Sequence, residues 1–264
     1  MEKYTLDTDF SSLKGSQTYD WMLEFSDMVE EAFAEKDNRF CLLGNLLFME
    51  IYVHTIRKGL TNRNEPLSAI LQKALDILWN YLAGYTDPNI FQDFANNLYA
   101  CILAYNVGED LNNVQMAFDQ NYFADKDFIT CEYQVIEWCA GLLIQLVAIE
   151  GGQLYREDLQ EDLERYNRVD FYGLEEMLNL LENICIDYAN ISRLSNTIED
   201  TIKAEEQVHQ TVLFQQIIKQ LQNSLKTALN AKPEQFMSLR NEYQKYSIIP
   251  AENSQQFLEY FISI

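Results

Sequence analysis

The chain is poor both in residues that punctuate a backbone and in residues that do chemistry. Nine glycines and four prolines in 264 residues are too few to turn a many-stranded β protein, and they suit long helices. The five cysteines (Cys41, Cys101, Cys131, Cys139, Cys185) are odd in number, far apart, and form no Cys-x-x-Cys pair. Neither a zinc knuckle nor a redox pair is indicated, and thiols set in apolar runs act as small hydrophobes. Gly-x-Ser-x-Gly, a Walker loop and a dinucleotide fingerprint are all missing. The longest apolar stretch, Ala140–Ile149, falls far short of a membrane span. Met1-Glu2-Lys3-Tyr4-Thr5-Leu6-Asp7 has neither the basic nor the apolar part of a secretion signal. The expectation is a cytoplasmic protein with no cofactor, no metal and no membrane association.

Positive charge is scarce too. Nineteen Lys and Arg face 41 Asp and Glu, for a net charge of −22. The imbalance is local: residues 87–137 hold nine acids and one base, and residues 150–206 hold fifteen acids and five bases. Residues 38–86 and 207–264 are close to neutral. Such a field repels nucleic acid and anionic lipid and speeds encounter with a basic partner. With 48% hydrophobic and 13% aromatic residues, the chain can still bury a large core, so charge alone does not imply disorder.

What is present is helical periodicity with marked boundaries. The spacing predicts a first helix over about 19–36 and a second from the N-cap Asp37 to Gly59. A third is opened by Pro66 at N1 and closed by Gly84, and a fourth runs from Asp87-Pro88 to Gly108. A short helix near 110–119 precedes a central one over 127–150, apolar nearly all round and stopped by Gly151-Gly152. Then follow a charged helix over 153–166, one over 171–191, and the longest over 197–229, with Asn196 and Glu199 at capping-box spacing. A short helix from Pro233 to about Tyr246 and an apolar tail through Phe257, Leu258, Tyr260 and Phe261 complete the chain. The reading is all-α: an irregular bundle of about nine or ten helices in one domain (1–264), with two packed halves, 1–150 and 151–264, as an alternative. No solenoid repeat is evident.

Candidate chemistry is thin. Glu206-x-x-His209 is the i, i+3 pair that di-iron bundles use, but such sites need two copies plus further inward glutamates. His54 has Ile51 at the matching position, so the second copy is missing, and Glu50 four residues before His54 makes only half a site. Glu206 and His209 therefore read as a surface or capping pair, and no catalytic or metal residue is assigned. The sharpest feature is the strip Glu157, Asp158, Glu161, Asp162 and Glu164. Its i, i+4 like-charge pairs oppose helix formation by about 0.2–0.5 kcal/mol each, and its compensating bases sit only at its ends. The strip reads as a docking face for Lys and Arg, or else as a solvated face. Asp27, Glu30 and Glu31 invite the same weighing. Glu109, Asp110, Asp125 and Asp127 form a second acidic region in which Tyr122 and Phe123 are candidate anchors.

Arg39-Phe40-Cys41-Leu42, Ala74-Leu75-Asp76-Ile77-Leu78-Trp79, Asp125-Lys126-Asp127-Phe128, Glu205-Glu206-Gln207-Val208-His209 and Leu239-Arg240-Asn241-Glu242 occur in this order. The layout resembles a bacterial family of all-helical proteins of unknown function. In its acidic, helical and motif-free character the chain also resembles immunity proteins of bacterial polymorphic toxin systems. That resemblance implies stoichiometric binding of a basic protein, a cognate nuclease-type toxin domain, rather than catalysis. The alternatives are a helical enzyme with an unrecognised carboxylate site, and a scaffold or adaptor that binds a peptide.

Overall fold

From Cys41 to Val53 every residue of one helix is buried, so no face of it is left for solvent and other helices must surround it. This helix, α3 (Asn38–Asn62), is the hub of the computed structural model. The structure describes residues 4–85, 87–107, 130–154, 166–171, 173–191, 197–248 and 254–262. Among these the architecture is all-α, with no strand. Two N-terminal helices, α1 (Ser16–Tyr19) and α2 (Trp21–Phe33), precede α3; α4 (Ala69–Ala83), α5 (Pro88–Val107) and α6 (Thr130–Ile149) follow it. Then come α7 (Leu174–Tyr188), α8 (Ile198–His209), α9 (Val212–Asn230), α10 (Phe236–Tyr243) and α11 (Ser254–Phe261).

The hub packs against α4 and α6 from its own half of the chain, and against α9, α10 and α11 from the other. Apolar residues from Phe10 to Ile262 join in one contiguous core. The apolar tail expected at the C-terminus is helix α11, and it docks where Gly59 removes a side chain from α3. A Cβ at Gly59 would lie 2.7 Å from Ile262 Cγ2 and 3.4 Å from the Leu258 carbonyl. Helix α6 is the predicted central helix, buried against α4 and α5. Its residues 131–149 are long and apolar enough to cross a membrane by length and composition, yet 67% of that stretch is buried within the fold.

Local chemistry sets most boundaries. The Asp37 side chain accepts from Arg39 N to open α3, and Gly84 closes α4 with φ +76°. Two predicted boundaries are corrected. Pro66 is not the first residue of α4; Ser68 is the N-cap, its hydroxyl accepting from Leu71 N, and Pro66 lies in the extended lead-in. The long helix expected over 197–229 is two helices, broken at Gln210-Thr211, where Thr211 caps α9 by accepting from Phe214 N. The first predicted helix, over about 19–36, is α2, and the short α1 precedes it. The helices expected near 110–119 and over 153–166 fall largely outside the described residues.

Candidate functional site: a cleft where three helix ends meet

All eleven residues expected to bind a partner lie outside the described residues. Glu109, Asp110, Tyr122, Phe123, Asp125 and Asp127 fall in 108–129; Glu157, Asp158, Glu161, Asp162 and Glu164 fall in 155–165. What the structure does place are the other carboxylates, and they divide sharply between inside and outside.

Several glutamates serve as internal acceptors. Glu50, 1% exposed in the middle of α3, accepts from Trp79 Nε1 at 2.7 Å and from Gln244 at 3.4 Å. Arg240 Nε lies 3.5 Å from the same carboxylate oxygen, and its other arm pairs with Asp76. Burial pushes the Glu50 carboxyl above its usual range, an effect that Arg240, Trp79 and Gln244 partly offset. Glu182, on α7, accepts from Trp21 Nε1 at 2.9 Å and meets His209 Nε2 at 2.7 Å. Glu30 accepts from Phe171 N, Glu132 from Ser68 N and Glu206 from Gly15 N. Each backbone or indole N–H would otherwise be a poorly satisfied polar group in or near the core, which costs about 1–3 kcal/mol.

These contacts correct the reading of Glu206 and His209 as a surface pair. His209 is fully buried, stacked on Phe214 at 4.3 Å and bound to Glu182, while Glu206 reaches the N-terminal segment. Glu50 and His54 share a helix but not a function: Glu50 is turned to Trp79 and Arg240, and His54 Nδ1 makes no hydrogen bond. Among the described residues no three His, Cys, Asp or Glu side chains are grouped to hold a metal. Glu30, too, belongs to the fold, pairing with Arg168 at 3.6 Å, whereas Asp27 faces solvent.

Positive charge is spent internally. Each of the five described arginines is tied to its own chain: Arg39 to Leu82 O, Arg57 to Gln72, Arg63 to Glu259 O, Arg168 to Glu30, and Arg240 to Asp76. Outside, Asp20, Asp27, Glu35, Glu175, Glu176 and Asp187 face solvent. Carboxylates are drawn inward as well: Glu50, Glu132, Glu182 and Glu205 are buried, whereas no described lysine or arginine is.

Among the described residues a cleft of about 700 Å³ opens where α4, α5 and α6 meet, a size that suits a side chain or small ligand. It exists because three helix ends converge. Helix α4 stops at Gly84, with Tyr85 N bonded back to Asn80 O; α6 stops at Gly151 (φ +69°), with Gly152 N bonded to Val147 O. Both are left-handed glycine stops that wrap the final carbonyls. Helix α5 starts beside them, capped by Asp87, which accepts from Asn89 N at 2.9 Å. Gly152 is held close: a Cβ there would lie 2.8 Å from Val147 and 3.0 Å from Gln92 Oε1.

One wall is aromatic. Tyr81 and Phe91 stack with centroids 5.4 Å apart and planes at 28°. The Tyr81 hydroxyl donates to Glu150 Oε1 at 2.5 Å, and burial together with that bond holds the phenol well above its usual range. Opposite sits Arg39, its guanidinium donating to Leu82 O at 3.0 Å and lying 5.2 Å from the Phe236 ring. Tyr85 and Ile90, each next in sequence to a lining residue, are 80% and 61% exposed. The cleft offers recognition by aromatic faces and one carboxylate, with no nucleophile paired to a base.

Sequence reasoning missed this cleft because Arg39, Tyr81, Phe91 and Glu150 come from four helices and share no local period. The signals that were legible were the glycine stops at 84 and 151 and the Asp87-Pro88 start, which locate the three ends but not their meeting. No family model, no curated protein and no solved structure matches this chain.

Proposed function

We propose that this chain is an acidic helical binding protein that neutralises a basic protein by stoichiometric occupation, in the manner of an immunity protein against a nuclease-type toxin. The observation that carries the reading is the division of charge. The chain has a net charge of −22, every described arginine is engaged internally, and the exposed helix faces present carboxylates. A nuclease must carry a basic surface to hold phosphates. An acidic protein seated on that surface excludes the substrate, and long-range attraction raises the association rate. The acidic strips 109–127 and 157–164 together carry ten acids and one base, −9 of the net charge of −22, and the second begins shortly after Gly152 in the sequence. The setting proposed is the cytoplasm, which suits five free, buried thiols.

The test is co-expression with the product of the neighbouring gene. Expected outcomes are growth arrest by that product alone, relief by this chain, and a 1:1 complex that weakens as salt is raised. Lysine replacements at Glu157, Asp158, Glu161 and Asp162, or at Glu109, Asp110, Asp125 and Asp127, slow association. A non-toxic, acidic neighbour that forms no complex refutes the reading.

A further inference from the structure

We infer that the cleft between Tyr81, Phe91 and Glu150 is a socket for a basic side chain, an arginine above all, presented by the partner; this rests on the reading of the chain as a binder of basic proteins. Three independent features favour a cation there. The Glu150 carboxylate is exposed, oriented by the Tyr81 hydroxyl and, among the described residues, paired with no cation. The near-parallel Tyr81 and Phe91 rings give a π wall beside it, on which a guanidinium stacks better than an ammonium. The C-terminal ends of α4 and α6 both meet at the cleft, and each brings the negative end of its helix dipole there, weakened where the glycine stops and Arg39 take the last carbonyls.

Arg39 is the one opposing charge. Its guanidinium is already committed to the last turn of α4 through Leu82 O and to the face of Phe236. It therefore offsets one helix end rather than offering itself to an anion, and the Tyr81 hydroxyl is likewise used up on Glu150. An anionic ligand would find no uncommitted donor side chain on the aromatic wall. A cationic one finds an exposed carboxylate and the half-buried Tyr81 ring, backed by the buried Phe91 stacked on it. The overall field of the protein has the same preference.

The probe is a nona-arginine peptide, with nona-lysine for comparison, titrated calorimetrically at low salt into the full chain and its variants. Glu150→Gln keeps an acceptor for Tyr81 while removing the charge, and should weaken nona-arginine about 5-fold. Phe91→Leu should weaken it about 3-fold, and nona-lysine should bind more weakly and respond less to that change. Arg39→Gln retains a donor for Leu82 O and should strengthen binding. Removing one charge elsewhere, by Asp187→Asn or Glu175→Gln, should alter affinity less than 2-fold. Circular dichroism confirms the fold of each variant; because Glu150 is exposed, that substitution decides the matter even if Phe91→Leu destabilises the corner. Equal affinity for Glu150→Gln and the parent overturns the socket while leaving the broader reading to its own test. Weaker nona-arginine binding by Arg39→Gln also overturns it, because removing a like charge from a socket for a cation cannot cost affinity.

Discussion

Replacing Arg240 with Met leaves the aliphatic bulk against Trp79 and removes the guanidinium that faces Glu50 on one side and the half-exposed Asp76 on the other. The parent geometry is a carboxylate 1% exposed, with Trp79 Nε1 at 2.7 Å, Gln244 at 3.4 Å and Arg240 at 3.5 Å. Without Arg240 the charge stays buried on one good and one long hydrogen bond. Breaking a buried pair from one side costs about 3–5 kcal/mol. The 3.5 Å separation puts this case near the lower end, still a large share of the roughly 5–15 kcal/mol that stabilises a domain. Glu50→Gln keeps the acceptor for Trp79 and should cost about 1 kcal/mol. The double variant should then resemble Glu50→Gln alone, because the two changes act on one interaction. The pH dependence follows from the raised Glu50 pKa. A carboxyl whose folded pKa lies above its unfolded value keeps its proton longer in the native state, so its contribution is intact below the ordinary carboxylate value and lost as pH rises through the folded one. Arg240 is the largest influence holding that pKa down, so Arg240→Met widens the window upward. Urea unfolding followed by circular dichroism should therefore show a smaller penalty at about pH 5 than at about pH 7.5. An equal penalty at both, or one below about 1 kcal/mol at the higher pH, refutes the reasoning.

Two further outcomes are expected. A thiol reagent added to the folded chain should label none of the five cysteines rapidly, and all five after denaturation: every one is buried, and burial pushes the Cys101 and Cys131 thiols up to about 12. Rapid labelling of any one shows that its helix opens readily. His54 is pushed down to about 4, by burial first and then by Lys58 and Arg57. Its contribution is therefore present above its unfolded value of about 6.5 and lost as pH falls through about 4. His54→Gln should gain about 1–2 kcal/mol on the parent over that range, a figure reduced to allow for its partial exposure; parallel stability profiles sink the assignment.

The sequence by itself determined the fold class and most of the helix ends, because those are set by local physics. Asp37 caps α3 through its own side chain, and Gly84 and Gly151 end helices because glycine enters the left-handed region without steric cost. The central place of α6 could be read from a run that is apolar on nearly every face. Tertiary structure decided what local pattern cannot carry. Nothing in Gln207-Val208-His209-Gln210-Thr211 announces a break, since neither glycine nor proline is present. The chain turns there so that His209 can stack flat on Phe214, reach Glu182 and lend its carbonyl to Gln215, contacts that a continuous helix would not allow. The sequence pointed to Pro66 as the start of α4. Ser68 is the start because its hydroxyl satisfies Leu71 N while its own N–H is taken by Glu132, 64 residues away in sequence. The fate of each carboxylate was equally hidden. Glu50 and Asp27 are alike as letters in amphipathic segments, but one sits on a helix enclosed on all sides and must find Trp79, while the other faces water. The Tyr81–Phe91–Glu150 cleft is the furthest case: three helix ends, each legible alone, become a binding surface only when long-range packing brings them to one corner.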